Sequence, residues 1–205
     1  EIPLRLVGSE MCIRDRLKWG RNRQAEFLRN EMEIMEKMAD RKLSGIPKTY
    51  RIFEENGEVY LVREYIEGMS LAQMVLQKGG ISEAEICRIS RKICQTAEQF
   101  QNPDEPMIHR DIKPENIVVT PGGEVVFIDF GTMRSYKKDG SRDTFVVGTR
   151  GTAAPEQYGY TQTDQRTDVY AIGQTMLYMV SESYEKNQLS ECAAVSYTHL
   201  RAHET

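Results

Sequence analysis

Two short apolar runs joined by a tight turn constrain this chain most, because polar residues crowd their outer ends. The runs are 116–120 and 125–128, and a Pro-Gly-Gly sequence at 121–123 lies between them. Proline and glycine at such positions favour a reverse turn, so the pair is predicted to be a β-hairpin. Because a hairpin brings its outer ends together, we expect Asp129 to lie near Asn116.

This geometry collects four side chains at one end of the hairpin, here called the polar cluster: Asp111, Lys113, Asn116 and Asp129. Aspartate and asparagine supply the oxygen ligands that Mg²⁺ accepts, with phosphate and water completing its shell. A neighbouring lysine can neutralise charge on a transferring phosphoryl group, and a carboxylate can position an attacking hydroxyl. The polar cluster therefore favours metal-assisted phosphoryl transfer.

The motifs around the polar cluster resemble those of eukaryotic-type protein kinases. His-Arg-Asp at 109–111 precedes the hairpin and Asp-Phe-Gly at 129–131 follows it, as in that family. The run 148–156 looks like the end of an activation segment, and Asp168 matches the aspartate that anchors the catalytic-loop backbone. Lys113, within Asp-x-Lys-Pro-x-Asn, is similar to the Ser/Thr branch, and the Ala-Ala-Pro-Glu-Gln-Tyr-Gly run looks like its bacterial members.

The resemblance implies catalytic roles for five residues. Asp111 would be the catalytic base or hydroxyl-orienting group, Lys113 would contact the γ-phosphate, and Thr149 would contact both side chains. Asn116 and Asp129 would hold Mg²⁺. The implied reaction transfers the γ-phosphoryl group of ATP to Ser or Thr hydroxyls of a protein substrate.

The resemblance also implies an ATP site. Glu31 would be the helix glutamate that pairs with the ATP-binding lysine, and Glu64 and Ile66 would offer backbone groups to adenine. Arg63 departs from the family, which often has an apolar residue at the back of the adenine pocket. Lys18 precedes Glu31 by only thirteen residues and lacks an apolar strand around it, so it is not assigned as that lysine. The lysine and the Gly-rich loop are expected to be missing.

The implied fold is α+β: a protein-kinase-like two-lobed fold with a partial small lobe (hairpin plus helix) and a truncated, mostly helical large lobe. Residues 17–66 would form the partial N-lobe and residues 67–194 the partial C-lobe. Apolar periodicity predicts a helix over 24–38, and an Asn-Gly turn predicts a hairpin of 48–54 with 59–65.

Local signals predict three further helices. Ser70 is a candidate N-cap for a short helix that stops at Gly79-Gly80, and Ser82-x-x-Glu85 is a capping box that opens the next one. Apolar residues at helical spacing over 169–180 predict a buried helix.

Composition excludes several other classes. With 27 Lys+Arg against 31 Asp+Glu and a net charge of −4, the chain does not have the basic balance typical of a nucleic-acid binder. It contains no apolar run of the roughly 20 residues that a membrane span needs. The cysteines form no C-x-x-C pair, and Cys87 and Cys94 are interpreted as reduced core residues of a cytoplasmic chain. A longer membrane-anchored kinase and any oligomeric state stay open.

Residues 1–16 and 195–205 have no helical or strand periodicity. A back-translation of Leu6–Asp15 resembles a transposase-type library adapter, and its reverse complement reads Val-Ser-Tyr-Thr-His-Leu-Arg-Ala-His-Glu, the sequence of 195–204. Unrelated protein tails would not share this relation, so both are interpreted as translated adapter. The native part is then expected to be 17–194, cut at both ends.

Three functions are open from the sequence. The first is an ATP-dependent Ser/Thr protein kinase, present as an incomplete and inactive fragment. The second is a pseudokinase or signalling scaffold, which the intact polar cluster disfavours. The third is a small-molecule phosphotransferase, which shares an Asp-x-x-x-x-Asn core and a later metal aspartate. Lys113 and the run 148–156 disfavour it, because they resemble peptide-substrate machinery.

Overall fold

The computed structural model describes residues 17–20, 22–38, 41, 43–78, 81–101, 105–136, 148–149, 151–158 and 162–181. The helices are α1 (Arg23–Met38), α2 (Leu71–Lys78), α3 (Glu83–Glu98) and α4 (Gln165–Ser181). The strands are β1 (Leu17–Gly20), β2 (Thr49–Glu55), β3 (Glu58–Arg63), β4 (Met69–Ser70), β5 (Met107–Ile108), β6 (Ile117–Val119), β7 (Val125–Phe127) and β8 (Arg134–Ser135). This mixture of hairpins and helices confirms the predicted α+β class.

The first sheet is antiparallel, with strand order β1-β3-β2. Asn56 and Gly57 turn between β2 and β3 at φ 52° and 74°, which is the left-handed pair that suits a two-residue hairpin. Along β3 the side chains alternate, so that Val59 and Leu61 are buried while their neighbours are partly exposed. The predicted second hairpin strand therefore forms with one face turned inward.

Helix α1 belongs to two apolar clusters at once. Ala25 and Leu28 pack with the β3 residues, whereas Ile34, Met35 and Met38 join the large core. The apolar period predicted from the sequence runs the whole length of the helix, but its two halves contact different partners. As a result, α1 links the sheet to the rest of the molecule.

The large core is built on the predicted hairpin and on helices α3 and α4. β6 and β7 pair antiparallel with Ile117 opposite Phe127, and β4 adds a third strand beside β6. Phe100, Phe127 and Phe130 are fully buried, and the Phe100 ring contacts Phe127 in a tilted geometry and Phe130 edge-on. The hairpin is thus fixed in the protein interior, and its outer end carries the polar residues.

Both predicted helix caps form. The Ser82 hydroxyl accepts a hydrogen bond from the Glu85 N–H at 3.3 Å. The Ser70 hydroxyl accepts from the Gln73 N–H at 3.2 Å, and the Gln73 side chain accepts in return from the Ser70 N–H at 3.1 Å. Each pair satisfies backbone donors that a helix start leaves open. The predicted stop at 79–80 lies outside the described residues.

The prediction that Cys87 and Cys94 are core residues is wrong, although both are free thiols. Both side chains are exposed, while Ile89, Ile93 and Ala97 of α3 are buried. Seven residues make two helical turns, so the cysteines do share a stripe. Each residue advances a helix by about 100°. The cysteine stripe is therefore rotated by about that angle from the buried stripe, which contains Ile93, the residue before Cys94.

No helix among the described residues combines the length and the apolar character that crossing a bilayer requires. The segments interpreted as adapter, 1–16 and 195–205, lie outside the described residues, and their origin stays a prediction.

Two glycines provide a paired test of backbone geometry. Gly57 (φ 74°) has open space around its Cα, so Gly57→Ala should cost only the left-handed conformation, about 1–2 kcal/mol. At Gly68 (φ 156°) an added Cβ would clash with the Val119 carbonyl and lie 2.8 Å from Val118 Cγ1. Gly68→Ala should therefore lower the free energy of unfolding by roughly 2 kcal/mol or more. Denaturant unfolding of both variants checks this, and equal losses would contradict the geometry.

Candidate active site

A threonine hydroxyl lies between an aspartate and a lysine at the centre of the site. Thr149 Oγ1 donates to Asp111 Oδ1 at 2.8 Å and accepts from Lys113 Nζ at 2.8 Å. Lys113 Nζ also lies 2.9 Å from Asp111 Oδ2. The three residues assigned from the sequence as catalytic therefore form one connected group, in which a hydroxyl contacts a carboxylate and an ammonium group together.

Asn116 is held to Asp111 by its amide nitrogen. This group donates to the Asp111 carbonyl at 3.0 Å and to Asp111 Oδ2 at 2.9 Å. The contact orients the side chain so that the amide oxygen is the atom available to a cation. Asn116 also accepts, through its backbone carbonyl, from the Ile128 N–H at 2.9 Å, which brings the start of β6 next to the residue that precedes Asp129.

A buried carboxylate from α4 fixes the backbone before Asp111. Asp168 Oδ2 accepts from the His109 N–H at 2.8 Å, and Oδ1 accepts from the Arg110 N–H at 2.9 Å. Burial raises the pKa of Asp168 to about 6, and the two N–H groups and Arg110 oppose that rise. Arg110 adopts φ 67°, which side-chain-bearing residues rarely do.

Gln157, directly after the run 148–156, contacts the same loop. Gln157 Nε2 donates to the Arg110 carbonyl at 2.7 Å, and Gln157 Oε1 accepts from the Ala154 N–H at 2.9 Å. Glu156, the last residue of that run, accepts from Thr167 Oγ1 at 2.6 Å. The sequence did not point to Gln157, since a single turn of 3₁₀ helix such as Pro155–Tyr158 is too short to carry a periodic signal.

Lys18, which the sequence analysis did not assign, pairs with Glu31, the residue expected to bind the ATP-binding lysine. Lys18 Nζ lies 2.7 Å from Glu31 Oε2, 3.1 Å from Oε1, and 3.2 Å from Asp129 Oδ1. Glu31 is only 2% exposed. Burial raises the pKa of Glu31 above its usual value, and the Lys18 ammonium opposes the rise.

Two features of the structure explain why the sequence did not indicate the pairing of Lys18 with Glu31. β1 is a strand because it pairs with β3, with Lys18 opposite Leu61, so strand formation does not depend on an apolar pattern of its own. In addition, β1 ends at Gly20 and α1 begins at Arg23, so a separation of thirteen residues is enough to bring the side chains of Lys18 and Glu31 together. The register of β1 could not be read without its partner strand.

Asp129 lies where β7 leaves the hairpin, as expected, with a side chain that is 43% exposed. Its Oδ1 accepts from the Gly131 N–H at 3.1 Å and contacts Lys18. Burial favours a higher pKa for Asp129, but Lys18 and the Gly131 N–H outweigh it and keep the pKa below its usual value. The carboxylate is therefore ionised at neutral pH, as a metal ligand must be.

Asn30 ties α1 to the loop after Asp129. Its amide nitrogen donates to the Gly131 carbonyl at 2.9 Å and to the Met133 carbonyl at 2.8 Å. No sequence pattern indicated this contact, because an asparagine next to Glu31 on a polar helix face looks like an ordinary solvated residue. The contact fixes the position of α1, which carries Glu31, relative to the loop that follows Asp129.

A cavity of about 300 Å³ opens beside Lys18. Its lining includes Lys18, Arg63, Glu64, Tyr65, Ile66, Gly68, Ser70, Gln73, Val118 and Ile128. The predicted adenine-binding positions Glu64 and Ile66 are therefore on its wall. The Glu64 N–H donates to the Lys48 carbonyl at 2.7 Å, so this N–H group is already engaged within the protein.

The metal site predicted at Asn116 and Asp129 consists of one amide and one carboxylate. Among the described residues, no group of three or more His, Cys, Asp or Glu side chains is placed to hold a metal ion. The donor set suits Mg²⁺, which takes one or two protein carboxylates and completes its shell with phosphate and water.

His109 is a neutral packing residue. Its ring is 1% exposed and contacts Phe100, Phe127 and Phe130 at centroid distances of 6.0, 5.4 and 5.3 Å. Burial lowers its pKa to about 4, although Asp111 and Asp129 favour the charged form. Nδ1 accepts a long hydrogen bond of 3.4 Å from the Asp111 N–H. The histidine supports the loop and is not placed as an acid–base group.

The fold and these contacts define a protein kinase domain. Residues 12–198 match the protein kinase domain family, so the chain belongs to that family. It is 32% identical to serine/threonine-protein kinase D of Synechocystis sp. over 77% of this chain and 31% of that protein. It is 29% identical to the probable serine/threonine-protein kinase PknB of Corynebacterium glutamicum, over 88% of this chain and 28% of that protein.

A third relative is serine/threonine-protein kinase PknB of Mycolicibacterium smegmatis, at 33% identity over 69% of this chain and 23% of that protein. The chain thus spans about a quarter to a third of the length of these curated relatives. The predicted resemblance to bacterial Ser/Thr kinases is confirmed at the level of the family.

The low pKa of His109 predicts a loss of stability in acid. Unfolded histidine has a pKa of about 6.5, so between that pH and about 4 the unfolded chain binds a proton that the native chain does not. The stability that this neutral histidine contributes is present above the unfolded pKa. It is lost as pH falls through that window, by up to roughly 3 kcal/mol.

The measurement is the free energy of unfolding of His109→Phe and the parent across that window. Asp168, with its pKa of about 6, makes the free energy of unfolding rise as pH falls, which is opposite to the effect of His109. Asp168 is present in both proteins, so its effect cancels when the variant is compared with the parent. The variant should gain relative to the parent as pH falls. Parallel curves would show that His109 is not held neutral.

Proposed function

We propose that this domain transfers the γ-phosphoryl group of ATP to Ser or Thr hydroxyls of a protein substrate. The observation that carries the proposal is the contact of the Thr149 hydroxyl with both Asp111 and Lys113. A substrate hydroxyl needs the same two partners: a carboxylate that orients it and takes its proton, and a cation that neutralises the phosphoryl group.

In the proposed complex, adenine lies against the Glu64 and Ile66 backbone in the cavity, and Lys18 contacts the phosphates. Glu31 positions Lys18 through the ion pair at 2.7 Å. The support for this arrangement is the convergence of Lys18, Asp129 and the cavity at one place. Catalysis then depends mainly on positioning and on compensation of charge, as phosphoryl transfer requires.

Asn116 and Asp129 are the residues that would hold Mg²⁺. The ion, when bound, supplies positive charge to the phosphate oxygens. Asp129 offers an ionised carboxylate whose contacts with Lys18 and with the Gly131 N–H both use Oδ1, and the amide nitrogen of Asn116 is engaged with Asp111. The remaining oxygen of each side chain suits a hard cation.

The other functions have less support. A scaffold has no need for the connected Asp111, Lys113 and Asn116 contacts, and a small-molecule phosphotransferase has no need for an activation-segment threonine against Lys113. The relatives are named as serine/threonine-protein kinases, which favours a protein substrate. We place the domain in the cytoplasm, where ATP is supplied, and regard residues 1–16 and 195–205 as foreign to it.

Asp111→Asn and Asp129→Asn should separate chemistry from nucleotide binding. Asp111→Asn removes the proton acceptor, so transfer should fall by roughly 100-fold or more while MgATP binding changes little. Asp129→Asn should weaken MgATP binding itself, because it removes a metal ligand. Radiolabelled-phosphate transfer and calorimetric MgATP binding check both, using protein expressed with the flanking sequence of its gene.

Asp164→Asn is the matched control for this pair. Asp164 lies outside the site and contacts Arg166, and asparagine can replace it as an acceptor for the Arg166 N–H. This variant should transfer phosphate as the parent does. Normal transfer by Asp111→Asn would refute the proposed reaction.

Lys18→Met tests the proposal that Lys18 is the ATP-binding lysine. The substitution leaves buried Glu31 without its 2.7 Å partner and removes the cation nearest Asp129, so transfer should fall by roughly 100-fold. Lys37→Met is the control, since Lys37 makes an exposed pair with Glu33 on the same helix as Glu31. Activity retained in Lys18→Met, with a second lysine labelled by an ATP-derived affinity reagent, would contradict the assignment.

A further inference from the structure

Arg63 ends β3 at the wall of the cavity, where the sequence departs from the kinase pattern. Its side chain is 11% exposed, and Nη1 lies 3.8 Å from Glu31 Oε1. The same nitrogen donates to the Ile128 carbonyl, in the residue before Asp129. One guanidinium group therefore contacts Glu31 directly and also fixes the backbone that carries Asp129, and these are the two carboxylates that bind Lys18.

Lys18 has competing demands. An ammonium group has three donors, and Lys18 has three close carboxylate contacts: two to Glu31, at 2.7 and 3.1 Å, and one to Asp129, at 3.2 Å. A phosphate that binds Lys18 must compete with Glu31 and Asp129 for the N–H donors of its ammonium group. The loss is most costly at Glu31, because a buried anion with reduced compensation is strongly destabilised.

We propose that Arg63 is a positioning residue for nucleotide phosphates: it stays beside Glu31 and the Ile128 carbonyl while Lys18 turns toward the ligand. The inference rests on the proposed function only in taking the cavity as a nucleotide site. The planar fork of arginine can reach two acceptors at once, which the point charge of lysine does less well. An apolar side chain of similar length would fill the space but would compensate neither group.

The test is nucleotide binding in three variants, measured by calorimetry with the protein expressed from its complete gene. Arg63→Met should raise the Kd for MgADP by roughly three- to tenfold, which is the range expected for loss of one partly screened charge contact. Arg63→Lys should recover part of the loss. Arg51→Met, an exposed arginine of neighbouring β2, is the matched control and should bind as the parent does.

Adenosine distinguishes positioning of Lys18 from general damage to the cavity. Adenosine has no phosphates, so its Kd should rise clearly less than that of MgADP in Arg63→Met, although Arg63 also lies on the wall of the cavity. Unchanged or tighter MgADP binding by Arg63→Met would overturn the inference, and so would an equal loss of adenosine and MgADP. If thermal unfolding shows that Arg63→Met does not fold, Arg63→Lys alone decides, by a smaller loss confined to MgADP.

These readouts are independent of phosphoryl transfer. A parent protein that transfers phosphate but shows no effect of Arg63→Met on MgADP would keep the proposed function and reject this inference. A parent that binds MgADP in an Arg63-dependent manner but transfers no phosphate would keep this inference and reject the proposed function.

Discussion

The geometry of the site depends on one buried carboxylate. Asp168 accepts the backbone N–H groups of His109 and Arg110 at 2.8 and 2.9 Å, and so holds Arg110 at φ 67°. A left-handed conformation at such a residue costs about 1–2 kcal/mol, so it persists only where contacts over-determine it. Gln157 supplies a further contact, at the Arg110 carbonyl. The direction in which the chain enters Asp111 is therefore set by α4 and by the activation segment.

A second constraint joins the two apolar clusters. α1 contributes to both clusters, and it also carries Asn30 and Glu31. Asn30 binds the loop that follows Asp129, and Glu31 binds Lys18. The packing of α1 thus decides whether a lysine from the sheet and an aspartate from the hairpin meet. The charges balance, because two carboxylates meet two cations, and this compensates the buried charge of Glu31. The four residues are Glu31, Asp129, Lys18 and Arg63.

Local signals predicted what local interactions decide. The β6–β7 hairpin and the Ser82 cap followed from turn and capping residues, because their hydrogen bonds join residues close in sequence. Lys18 could not be assigned, because β1 exists through its register with β3. Cys87 was misplaced because its stripe lies beside the buried stripe of α3, and a period alone does not say which of two adjacent stripes faces the core.

Thr149 explains how Asp111 remains stable without a substrate. The Asp111 side chain is only 14% exposed, and both of its oxygens have partners: Oδ1 accepts from Thr149, and Oδ2 contacts Asn116 and Lys113. A carboxylate that is this well satisfied does not need substrate to keep its orientation. Under the proposed function, an incoming hydroxyl exchanges with or joins Thr149 at the same two partners, so the site is organised before substrate arrives. That order suits a reaction in which positioning supplies most of the rate.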